Sequence, residues 1–149
     1  MFKEIMVAFD GSDHSETAFQ TACDLAAKYQ ANLHVVHVPQ LHQPTVGVSG
    51  TAASVLAQQD ALQQTGDVIL KRAETLAKEA GQNLSTTKLL TGPTAQAILE
   101  AADTMHADLI VCGRRGLGNL KAMFLGSVSQ QLASEAECAV LTVKAAQPE

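Results

Sequence analysis

The chain has no tryptophan, one tyrosine and four phenylalanines among 149 residues. A site that stacks a planar cofactor such as flavin has little to be built from. Cysteine is nearly as scarce: Cys23, Cys112 and Cys138 are odd in number, far apart and without metal-ligand spacing. That argues against a disulfide framework and a zinc-type cluster, and the three are expected to be buried, inert thiols. No apolar run approaches the roughly 20 residues of a membrane span, so no membrane insertion is expected. The opening FKEIMVAF lacks a basic stretch ahead of a signal-type apolar segment, so a cytoplasmic location is the expectation. Basic charge is also short, with ten Lys/Arg against fifteen Asp/Glu and a net charge of −5. A nucleic-acid or anionic-membrane partner would want the reverse balance.

One further absence is local. No acid lies between Asp108 and Glu135, and Arg114, Arg115 and Lys121 fall inside that gap. The same region, CGRRGLGNLKAMFLGSVS at residues 112–129, holds four of the ten glycines. Bare backbone and positive charge together point to a negatively charged ligand.

Around this region, short apolar runs alternate with helix-period segments. Residues 4–9 (EIMVAF), 32–38 (NLHVVHV), 84–90 (LSTTKLL), 108–113 (DLIVCG) and 138–144 (CAVLTVK) read as five strands. Between the first two, DHSETAFQTACDLAAKY spaces Ala18, Ala22, Leu25, Ala26 and Tyr29 for one helix face. Asp13 is the expected N-cap there, with Glu16 completing a capping box. Residues 40–66 read as a loop followed by a helix that runs on to Gly81. GPTAQAILEAADTMHA is a helix with Pro93 in its first turn and Ile98, Leu99, Ala102 and Met105 inward, and SVSQQLASEAE is the last helix. Strand and helix in alternation mean one α/β domain over residues 1–149, a mostly parallel sheet covered by helices on both faces.

A strand that runs into glycine-rich backbone and then a helix is suited to holding phosphate. Glycines let N–H groups approach an anion, and the helix start supplies free donors and partial positive charge. Gly126 and Ser127 stand where the last helix begins. The hydroxyls of Ser127 and Ser129 are expected to point to one place, with Gly113 and Gly116 as the opposite wall. A Walker loop is excluded, because no lysine precedes Ser127. The dinucleotide fingerprint is excluded too, because only DGSD follows the first strand.

The spacing Gly-x2-Gly-x9-Gly-Ser, at Gly113, Gly116, Gly126 and Ser127, resembles the ATP-binding signature of the universal stress protein family. IMVAFDGSDHS, LHVVHV and ECAVLTV are similar to that family's other characteristic phrases, so the resemblance spans nearly the whole chain. It implies five parallel strands in the order 3-2-1-4-5, a homodimer paired through the last strand, and ATP, with Mg2+ as a companion held largely by phosphates and hydroxyls. It also implies a set of contacts. Asp10 would meet the nucleoside, and the main chain of Ala8 and Val38 the adenine. Gly113, Arg114, Arg115, Gly116, Leu117, Gly118 and Asn119 would line ribose and phosphates, while Gly126, Ser127, Val128 and Ser129 would hold the phosphate tail. Arg114 departs from the small polar residue common at that place, as SEAECAVLTV does from the usual approach to the last strand.

The function so implied is that of a nucleotide-dependent regulatory module of the stress response, with a regulated protein as its partner. The alternative on the same fold is a slow ATPase or an autophosphorylating enzyme. Carboxylates near the signature are limited to Asp10 and Asp13, which favours retention of nucleotide over turnover. An RNA-binding reading of GRRG as a helix-joining loop fails, because a strand precedes it. His34 and His37 are read as sharing one strand face as packed core histidines, and His14, His42 and His106 as surface residues.

Overall fold

The computed structural model describes residues 1–40, 52–115 and 125–145. Five parallel strands, β1 (Glu4–Ala8), β2 (Asn32–His37), β3 (Leu84–Leu89), β4 (Leu109–Gly113) and β5 (Ala139–Val143), form one sheet in the order β3-β2-β1-β4-β5. Among the described residues four helices connect them: α1 (Asp13–Tyr29), α2 (Ala52–Glu79), α3 (Thr94–Thr104) and α4 (Ser127–Glu135). The expected strand order and the five expected strands are all present. Strand ends differ by a residue, because Phe9 and Leu90 still donate to Val36 and His37 just beyond the regular ladder. The loop expected at the start of residues 40–66 lies mostly outside the described residues.

Side chains alternate along each strand, so the sheet has two cores. On one face Ile5, Val7, Leu33, Val35, Leu109 and Val111 pack against Ala18, Phe19 and Ala22 of α1 and Leu70, Ala73 and Leu76 of α2. On the other, Met6, Val36, Ile110 and Cys112 pack against Ile98, Ala101 and Ala102 of α3 and Leu132 of α4. Leu99 and Met105 join this second cluster from its margin, as their helical spacing predicts. Each fully buried Val, Leu or Ile contributes about 1.5–3 kcal/mol. Strands β1, β2 and β4 therefore form a buried platform. No helix of the described residues is long and apolar enough to cross a membrane.

The thiols sit within these cores. Burial pushes Cys23 and Cys112 up to about 11 and also raises half-buried Cys138, so all three resist ionisation as expected.

The histidines require a correction. An odd separation in sequence sends His34 and His37 to opposite faces of β2. His34 bonds Glu4 Oε2 at 2.7 Å, beside Asn32, which donates to Glu4 Oε1 at 2.8 Å. On the other face, His37 donates from Nδ1 to the Phe9 carbonyl at 2.7 Å. Both are packed and bonded histidines, but they serve different layers.

Two downward shifts follow. The His34 bond holds the Glu4 carboxyl below its ordinary 4.5, and burial holds His37 below its ordinary 6.5, against the opposing pull of the Phe9 carbonyl. A group whose folded pKa is depressed contributes stability above its unfolded pKa, lost as pH falls through the folded value. Acid titration of the melting temperature should accordingly show destabilisation below 6.5 from His37 and a further loss below 4.5 from Glu4. Glu4→Gln should lower stability by about 1 kcal/mol at pH 7 and by less at pH 3. A deficit that grows on acidification would contradict the assignment.

Candidate functional site

The first strand hands over to α1 through Asp10, Gly11 and Ser12. Asp10 Oδ1 accepts from the Ser12 N–H at 2.9 Å, a side-chain turn that leaves the other carboxylate oxygen outside that bond. Gly11 takes φ +79°, the left-handed region where a side chain is disfavoured. Ser12, and not Asp13, is the N-cap of α1: its Oγ accepts from the Ser15 N–H at 3.3 Å. Asp13 is instead the first helical residue, where its charge suits the positive end of the helix. The donors at the start of α1 are thus partly satisfied from within.

The fourth strand ends against this turn. A Cβ on Gly113 would lie 2.9 Å from the backbone of His14 and Ser15, closer than a real side chain tolerates. The glycine lets β4 and the start of α1 come together. His14, expected as a surface residue, is half-buried here and accepts from the Ala145 N–H at 3.1 Å. Nothing in its sequence spacing signals that contact, because its partner lies 131 residues away.

Arg114 follows as the hub. Its N–H donates to the Val143 carbonyl at 2.7 Å, and its carbonyl accepts from Gly126 N at 2.9 Å and Ser129 Oγ at 2.9 Å. One peptide segment therefore gathers the end of β4, the end of β5 and the start of α4. Gly116, Leu117, Gly118 and Asn119 lie outside the described residues.

The start of α4 differs from that of α1. Gly126 is its N-cap at φ −70° and ψ 162°, a conformation open to any residue, and no side chain caps the helix. A Cβ there would find its nearest neighbours at 3.6–3.7 Å, ordinary contact distance. The described structure therefore gives no steric reason for glycine at 126. A serine would cap the helix as Ser12 does and be worth roughly a few tenths of a kcal/mol over glycine.

The two hydroxyls do not point to one place. Ser127 is exposed, whereas Ser129 is 3% exposed and its Oγ faces the carbonyls of Arg114 and Gly126. Ala8 and Gly113 end neighbouring strands, and Val38 directly follows β2, with its side chain buried in the second core. The carboxyl ends of β1, β2 and β4 thus carry Ala8, Asp10, Val38 and Gly113 on one edge, at the point where strand order reverses and open sheets take ligands. Among the described residues no three His, Cys, Asp or Glu side chains are grouped to hold a metal ion. A shallow depression lined by Asp67, Val68, Lys71, Arg72 and Thr75 belongs to α2 alone and contains none of these residues.

Gly113→Ala should lower stability by about 1–3 kcal/mol, because backbone must give way. Gly126→Ser should leave stability equal or higher. Thermal melts of both variants check the contrast, and equal losses would refute it.

The model of the universal stress protein family matches residues 1–144. A universal stress protein of Thermus aquaticus, from the 3′ region of a QAH/OAS sulfhydrylase, is 41% identical over 97% of this chain and all of its own. The universal stress protein UspA of Lactobacillus plantarum superimposes with a TM-score of 0.77 at 25% identity, covering 95% of this chain and 97% of its own. A universal stress protein crystallised in complex with cAMP superimposes with a TM-score of 0.71 at 31% identity, covering 97% of this chain and 99% of its own.

Proposed function

Because the chain belongs to the universal stress protein family, we propose that it is a nucleotide-binding regulatory protein that holds ATP at the carboxyl edge of β1 and β4. The observation that carries the reading is Gly126. It stands at the start of α4, whose leading donors no side chain caps, unlike those of α1 across the same strand ends, and the surrounding protein leaves room for the Cβ that it lacks. The uncapped N–H groups and the helix dipole favour an anion, as does the absence of any acid from β4 to the middle of α4. Binding of cAMP by a structural neighbour fits an adenine nucleotide.

In this reading Asp10 and the main chain of Ala8 and Val38 receive the nucleoside. Gly113 through Asn119 line the ribose and phosphates, and the backbone of Gly126, Ser127, Val128 and Ser129 takes the phosphate tail. Mg2+ would be held chiefly by the nucleotide's own phosphates, with the exposed Ser127 hydroxyl at hand. Asp10, which accepts the Ser12 N–H on one carboxylate oxygen and keeps the other, is the sole carboxylate that this reading sets against the nucleotide, and that favours retention over hydrolysis. The edge strand β5, whose residues are exposed or half-buried, is suited to pairing with a second copy, which would cover its unpaired backbone groups. A regulated protein partner would then read the nucleotide-loaded state in the cytoplasm.

Gly126→Ser should weaken ATP binding at least about tenfold, by adding bulk and a hydroxyl that competes for the same N–H groups. Isothermal titration of wild type and variant, with mass spectrometry of the copurifying small molecule, checks this. Undiminished ATP affinity in a folded Gly126→Ser protein would defeat the placement of the phosphates.

A further inference from the structure

We infer that Ser129 positions the anion-receiving backbone at the start of α4 and is not itself an anion ligand through its hydroxyl; the inference rests on the nucleotide reading above. A serine hydroxyl has one proton, and a phosphate oxygen can only accept. The Ser129 proton is directed at two carbonyls, Arg114 at 2.9 Å and Gly126 at 3.0 Å, in a side chain that is almost wholly buried. Bonding to phosphate would require withdrawing it from both.

What those bonds do follows from peptide planarity. The Gly126 carbonyl and the Ser127 N–H belong to one rigid trans unit, so fixing the direction of the first fixes the second in the opposite sense. The Gly126 carbonyl is held by Ser129 Oγ and by the Gln130 N–H at 3.0 Å. Ser129 thereby aims the Ser127 N–H away from the helix body. Its second bond ties the same turn to the Arg114 carbonyl, which also receives the Gly126 N–H. Glycine is the residue with most freedom to rotate its flanking peptides, and at this position the Ser129 side chain supplies the restraint that a Cβ does not.

The test uses the full chain and four proteins: wild type, Ser129→Ala, Ser129→Thr and Ser127→Ala. Affinities for ATP and for adenosine are measured by calorimetry, and exchange of the Gly126 amide by NMR. Loss of two hydrogen bonds at the turn should weaken ATP binding about tenfold in Ser129→Ala and leave adenosine within about twofold. The Gly126 amide should exchange faster in the same variant. Ser129→Thr, which keeps the hydroxyl, should restore both, whereas Ser127→Ala should weaken ATP and leave Gly126 exchange unchanged. If Ser129→Ala weakens ATP with Gly126 exchange unchanged, Ser129 is a direct ligand and the inference is wrong. It is equally wrong if Ser129→Ala binds ATP as wild type does. A wild type that binds neither ATP nor adenosine overturns the nucleotide reading itself, and the positioning role with it.

Discussion

The backbone of Arg114 is where the two halves of the candidate site meet. Its N–H closes the ladder to Val143 and its carbonyl accepts both Gly126 N–H and Ser129 Oγ. A parallel sheet delivers strands β4 and β5 side by side, but it does not by itself say where the helix between them starts. That is decided by the Arg114 carbonyl, with both its lone pairs used. The preceding residue adds a second restraint. Gly113 brings β4 against His14 and Ser15 at a distance that excludes any side chain. The turn after β1 and the start of α4 are thus referred to the same two residues.

This arrangement also separates two ways of treating a helix start. In α1, Ser12 and Asp10 bind local N–H groups, so the turn is rigid and self-contained. In α4, the side chain that bonds the turn, Ser129, engages carbonyls and leaves the leading N–H groups alone. Two neighbouring helix termini on one sheet edge therefore differ: one is partly capped from within, and the other has no side-chain cap. The folded core is indifferent to the difference, since Leu132 anchors α4 in the second cluster whichever residue caps it.

Much of the fold was legible in the chain. The apolar runs at β1, β2 and β4 are buried on both faces, and a strand of that kind needs helices above and below it. The glycine spacing and the acid-free gap mark the edge that carries the candidate site. Short-range patterns failed where long-range contacts decide. His14 looks like a surface residue until the backbone of Ala145 is brought to it. The Ser129 hydroxyl looks like a phosphate donor until the Arg114 carbonyl, fifteen residues earlier in the chain, claims it. Asp13, with Glu16 three residues on, fits the capping-box pattern, and only the observed Ser12–Ser15 bond identifies Ser12 as the N-cap. The histidine pair on β2 parts for a simpler reason: a separation of three reverses the face of a strand.

The contrast between Gly113 and Gly126 has a consequence for how such chains diverge. Both belong to one spacing, yet one answers to the fold and, in the function proposed above, the other to a guest. In a lineage that ceased to hold a nucleotide, drift at 113 would still be checked by misfolding, while 126 would be released and could acquire a capping side chain to its advantage. Loss of the ligand would then be recorded at the second glycine long before the first, and the molecule that resulted would be sturdier than its ancestor.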